Sequence, residues 1–108
     1  MDCIFCKIIN KEEPATVEYE DDEIIVIKNI RPISEIHLLV IPKKHIESIA
    51  HLEPEDKDLM GRLILVAQKV GKDKNLKGYK LSFNVGRDCG QVIDHIHMHL
   101  LSGDKICH

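Results

Sequence analysis

Near its carboxyl end the chain reads DHIHMHLLSG, which sets His95, His97 and His99 at every second position. Imidazole titrates near neutrality, so such a row suits nucleophilic attack, proton transfer or metal binding. Period-two alternation is a strand pattern, which predicts three rings on one face and Ile96 and Met98 turned into a core. Neighbouring Cα positions on that face stand roughly 6.5–7 Å apart, close enough for the rings to act on one ligand. The plainer alternative is a half-buried edge strand with titratable surface residues, but histidine fills a solvated strand face poorly.

A second group of ligand-type residues opens the chain as Cys3-x-x-Cys6. That spacing suits one metal ion at the start of a short helix, and a redox pair would look the same. A tetrahedral zinc needs two further donors, for which His45 and one histidine of the row are candidates. With seven histidines in the chain, spacing alone does not choose between them.

Two chemistries compete for the row. His-x-His on a strand can ligate a hydrolytic zinc, which would want an acidic base nearby; Asp94 is close in sequence, but alternation turns it away. Without metal, one neutral imidazole attacks phosphorus while its neighbours stabilise charge and protonate the leaving group. Asn84, Gln91 and amides of the GRDCGQ turn would then serve the phosphoryl oxygens.

These groups need elements to hold them. CIFCKIINKEE carries Ile4, Phe5, Ile8 and Ile9 as a short helical stripe closed off by Pro14. TVEYE and EIIVIKN, with Asp21 and Asp22 between them, predict a β-hairpin. EIHLLVIP is a third, largely covered strand that stops at Pro42. The longest helix is expected from near Pro54, with acidic residues at its start, to about Gly71, with lysines at its end. Its apolar residues, Leu59 to Val70, fill more than one narrow stripe. One side packs on a sheet; the other is either buried as well or left for a partner. YKLSFNVG and VIDHIHMHLLSG supply two more strands. The order αβββαββ makes an α+β domain with a five-stranded antiparallel sheet and two helices, taken as one domain over residues 1–108.

Bulk properties restrict the partners. The chain has 108 residues, 44% hydrophobic and 31% charged, with net charge −3. Such a charge offers no broad basic surface for nucleic acid or an anionic membrane. No apolar stretch approaches the ~18 residues of a membrane-spanning helix. The first residues lack the basic start and apolar run of a signal peptide, so a cytoplasmic location is expected. In that compartment the cysteines are not read as disulfides, and Cys89 and Cys107 are expected to be unpaired thiols.

With GQVIDHIHMHLL in view, the chain resembles the histidine triad (HIT) family, whose pattern alternates histidine with apolar residues. CIFCKIINKEEPA, NIRPISEIHLLVIPKKH and GYKLSFNVGRDCGQ extend the resemblance to the Hint branch of purine nucleoside phosphoramidases over nearly the whole chain. That resemblance implies cleavage of nucleoside 5′-phosphoramidates or related adenylates through a nucleotidyl adduct on His97. His99 would assist the leaving group, with His37 as a supporting histidine. Asn84 and Gln91 would contact the phosphate or the attacking group. Phe5, Ile8, Ile27 and Ile30 would line a purine pocket for an AMP-type ligand, and Asn29 would meet the ribose. Cys3, Cys6, His45 and His95 would hold one structural zinc per chain. The family also implies a homodimer built through the long helix and the YKLSFNV edge strand, joining two sheets into one of ten strands. An adaptor protein with little catalysis is the alternative, motivated by departures from the family pattern. Asn29 replaces Asp, Val92 replaces Ser or Thr, Asp94 replaces an apolar residue, and Ile27 stands where an aromatic often flanks the base.

Overall fold

The computed structural model describes residues 3–106; Cys107 therefore lies outside the described residues. A six-residue helix α1 (Ile4–Ile9) precedes the hairpin strands β1 (Val17–Glu20) and β2 (Ile24–Lys28). Strand β3 (Ile36–Pro42), the long helix α2 (Lys57–Asp73), β4 (Lys80–Ser82) and β5 (Met98–Ser102) follow. The five strands form one antiparallel sheet in the order β1-β2-β3-β5-β4. The predicted αβββαββ order and fold class hold.

The hairpin turns on Asp21, whose Oδ1 accepts the N–H groups of Glu23 (2.8 Å) and Ile24 (2.9 Å). The same carboxylate takes the Tyr19 hydroxyl at 2.6 Å and the Arg62 guanidinium, tying the turn to α2. Helix α2 is entered through a 3₁₀ turn at Pro54–Asp56, where Asp56 Oδ2 accepts the Glu53 N–H and Oδ1 pairs with Lys44. It runs two residues past the expected stop at Gly71. The stop comes from Asn75 in the left-handed region (φ 56°), as Leu76 N–H folds back onto the Gly71 carbonyl. Gly71 serves packing instead: a Cβ there would stand 2.8 Å from the Tyr79 ring.

The sheet separates two apolar layers. Ile24, Val26, Leu38, Val40, Met98 and Leu100 pack against Leu63, Val66, Ala67 and Val70 of α2. On the opposite face Ile25, Ile27, Leu39 and Ile41 meet Cys3, Phe5 and Ile8 of the α1 end. Leu63 is fully enclosed, so Leu63→Ala should lower unfolding free energy by about 2–5 kcal/mol. Urea denaturation measures this, and a loss under about 1 kcal/mol would contradict the packing.

Both late strands are shorter than expected. β5 begins at Met98, not Val92, because the register that pairs Met98 with Val40 brings Ile96 opposite Pro42, which has no N–H to give. The Ile96 N–H goes to the Ile46 carbonyl (2.8 Å) instead, and His95 N–H closes a tight turn on Ile93. β4 parts from β5 after the Ser82–His99 pair, which ends it well before Gly86. The alternation survives outside the ladder: Ile96 and Met98 are buried on the α2 side, and the three rings face the α1 side.

Candidate active site and metal site

Four ligand-type side chains converge where α1 meets the sheet. Sγ of Cys3 and Nδ1 of His95 are 3.3 Å apart, as are Sγ of Cys6 and Nδ1 of His45. Nδ1 of His95 stands 3.7 Å from the Cys6 sulfur and 3.1 Å from Nδ1 of His45. A tetrahedral ion with sulfur and nitrogen bonds of zinc length separates its ligand atoms by roughly 3.3–3.8 Å, so the four fit one metal ion. His95 is fully buried and its Nε2–H donates to the Pro42 carbonyl at 2.8 Å. That bond places the hydrogen on Nε2 and turns the Nδ1 lone pair toward the sulfurs, as an orienting partner does for a metal-bound histidine. Burial lowers the His95 pKa to about 4. Burial and the neighbouring Cys3 raise that of Cys6.

His95 has a second attachment. Its backbone carbonyl accepts the Nδ1–H of His97 at 2.8 Å, which leaves the lone pair of His97 on Nε2. Phe5 sets its ring against His97 and His95, with centroids 5.1 and 5.7 Å away. His97 and His99 face each other at 5.2 Å. Beyond them, His37 Nε2 lies 2.9 Å from His99 Nδ1, and His37 Nδ1 accepts the Ile33 N–H at 3.2 Å. Nε2 of His99 is buried and has no hydrogen-bond partner.

Burial favours the neutral form of His37, His97 and His99. It lowers the pKa values of His37 and His97, and with the charges of His97 and His37 it takes His99 to about 4. The consequence for stability has a definite sign. Unfolded imidazoles take up protons near pH ~6.5, whereas native His37 and His99 do so only at lower pH, His99 at about 4, so the native state is fully favoured above ~6.5 and loses ground as pH falls below it. The urea midpoint should therefore be lower at about pH 5 than at about pH 7, and an unchanged or higher midpoint would contradict it. Glu20, Asp21 and Asp56, whose pKa values are lowered, act only in a more acid range.

The other candidate residues divide. Phe5, Ile8 and Ile27 are buried in one cluster, of which Phe5 touches the rings, whereas Ile30 is 91% exposed and outside that cluster. Asn29 turns inward: its Oδ1 accepts the Arg31 N–H (2.9 Å) and its Nδ2 lies 3.1 Å from His37 Nε2. Gln91 is also engaged at both ends. Its Oε1 takes the Gly86 N–H, and its Nε2 donates to the carbonyls of Glu47 (2.7 Å) and Ile93. Asn84 is exposed, with its Nδ2 next to Gly90. Cys89 is exposed and free. Asp94 pairs with Arg87 at 2.8 Å, and Val92 is 74% exposed. Sequence reasoning missed two backbone groups, the Ile33 N–H and the Glu47 carbonyl. Neither leaves a signal in residue type.

Comparisons with known proteins agree with this geometry. Residues 2–106 match the family model described as scavenger mRNA decapping enzyme C-term binding. Protein HitA of Neisseria gonorrhoeae is 43% identical over 100 residues, spanning 92% of this chain and 94% of its own. A HIT family hydrolase from Legionella pneumophila superposes with a TM-score of 0.93 at 44% identity, covering 95% of this chain and 94% of its own. A zinc-bound histidine triad family protein from Mycobacterium smegmatis superposes with a TM-score of 0.82 at 30% identity, covering 96% and 76%. These relatives match along almost the whole sequence and share its fold, and the chain belongs to the histidine triad family.

Proposed function

We propose that this single HIT domain is a nucleotide-binding hydrolase that cleaves the P–N bond of nucleoside 5′-phosphoramidates, or the equivalent bond of adenylates. The observation that carries the reading is the bond from His97 Nδ1–H to the His95 carbonyl. It presents a neutral Nε2 lone pair to phosphorus. Attack forms an Nε2–P bond as the amine leaves, protonated through the donor at His99 Nε2; water then cleaves the adduct, giving the nucleoside monophosphate and returning the proton. The purine rests against Phe5, Ile8 and Ile27, with Ile30 at the exposed rim of that pocket and Asn29 at the ribose. Asn84 and Gln91 serve the phosphate or the attacking group in this reading, Gln91 through the turn that it braces at Gly86.

The metal is zinc, held by Cys3, Cys6, His45 and His95. It neutralises two thiolates and pins α1, which carries Phe5 and Ile8, to the sheet. The zinc-bound Mycobacterium smegmatis relative supports this choice of ion.

Incubation with adenosine 5′-phosphoramidate tests the reading. Release of AMP with a trapped adduct on His97 is expected. Binding of AMP with no release at micromolar protein would favour the adaptor alternative, to which the inward-turned Asn29 and Gln91 lend weight.

The chain is a homodimer in this reading. Ile64 and Leu65 of α2 are 53% and 62% exposed, and β4 is an edge strand three residues long. Pairing these surfaces about a two-fold axis covers the apolar patch and removes the free edge, giving one ten-stranded sheet. Light scattering should return twice the chain mass at micromolar concentration; the mass of one chain would contradict the assembly.

A further inference from the structure

The segment between β2 and β3 is closed around His37. The Asn29 N–H donates to the His37 carbonyl (3.0 Å), and the Arg31 N–H donates to Asn29 Oδ1 (2.9 Å). The Ser34 hydroxyl donates to the Ile36 carbonyl. The outward side is exposed: Ile33 is 69% accessible, so its side chain does little packing. Its backbone N–H, however, points inward to His37 Nδ1 at 3.2 Å.

A backbone N–H is a donor only. His37 Nδ1 must therefore be the acceptor, and the neutral ring carries its hydrogen on Nε2. Around Nε2 the Asn29 carboxamide offers no acceptor, since Oδ1 faces Arg31 and Nδ2, itself a donor, lies 3.1 Å away. His99 Nδ1, at 2.9 Å, is the acceptor that remains. His99 in its neutral form then holds its own hydrogen on Nε2, the buried atom with no protein partner.

We infer that the Ile33 backbone N–H is a positioning group that decides, through His37, on which nitrogen His99 presents a hydrogen to substrate. The inference rests on the proposed role of His99 as donor, but its test reads the free protein and stands apart from turnover. One amide in an exposed loop sets the polarity of a two-ring chain.

Nitrogen-15 NMR of the imidazoles in the full chain near neutral pH tests it. In the unaltered protein both His37 and His99 should show the Nε2–H tautomer. Ile33→Pro deletes the N–H and should turn both rings into tautomer mixtures. It should also lower kcat about tenfold with KM unchanged, the scale of one neutral hydrogen bond. Ile33→Ala keeps the N–H and should keep the tautomers. An ester in place of the Pro32–Ile33 amide removes the same hydrogen with the side chain intact, and it decides the matter where the proline variant does not fold. A His37 Nδ1–H tautomer in the unaltered protein, or unchanged tautomers in the proline and ester variants, would overturn the inference. Shifted tautomers in a chain that turns over no phosphoramidate would uphold it and overturn the proposed function.

Discussion

His97→Ala is expected to abolish phosphoramidate turnover, by about 10⁴-fold or more, while AMP affinity changes little. The size follows from an inventory of lone pairs. His95 directs its Nδ1 at the two thiols and its Nε2–H at Pro42. His99 Nδ1 lies against His37, and the hydrogen of His99 sits on Nε2. Nε2 of His97 is the remaining unshared pair in the row, so its loss leaves nothing to bond phosphorus. Affinity is expected to be spared because the proposed pocket for the base is formed by Phe5, Ile8 and Ile27. Stopped assays with adenosine 5′-phosphoramidate and calorimetry with AMP measure the two effects. A variant that kept more than a few per cent of the rate would remove His97 from its role. His99→Ala should cost less, roughly 10²–10⁴-fold, and most with poor leaving groups.

The second large effect concerns stability. Replacing Cys3 and Cys6 together by Ser should lower the melting temperature by roughly 15 °C or more. A ligand held thousandfold above its dissociation constant contributes about 4 kcal/mol, and in a domain of this size each kcal/mol shifts the transition by about 4–8 °C. The clip joins α1 to residues 45 and 95, in addition to the apolar packing of Phe5 and Ile8 on the sheet. Calorimetric scans of the unaltered and double-Ser proteins, with and without chelator, give the comparison. A chelator that left the unaltered transition in place, together with no metal by elemental analysis, would remove the site. Zinc found on His97 and His99 would overturn the catalytic roles as well.

Much of this site is legible in the sequence. Alternation along residues 95–99 places the rings on one face and Ile96 and Met98 on the other, because strand geometry repeats every two residues. Cys3, Cys6, His45 and His95 meet as the family resemblance implies, and spacing alone did not select them. What escaped the reading was backbone chemistry. The shortened β5 depends on which residue faces Pro42, a matter of register. The end of α2 depends on Asn75 adopting a conformation more often given to glycine. The Ile33 N–H and Glu47 carbonyl belong to every residue alike, so no side-chain pattern announces them. Asn29 and Gln91 look like ligand-binding amides by type, yet both are turned to internal partners.

The interleaving of histidines with core residues has a mechanical consequence. Along residues 95–100 the imidazoles alternate with Ile96, Met98 and Leu100, which are set among the side chains of α2. Protein interiors are packed at crystal-like density, so a change of volume among these apolar side chains is passed in part to the backbone that carries the rings. Reaction geometry is far less forgiving than packing: a misplacement of about 1 Å can cost 10²-fold in rate. Evolution or design can therefore adjust the reach of His97 from the far side of the sheet, through apolar substitutions in α2 that no substrate ever touches.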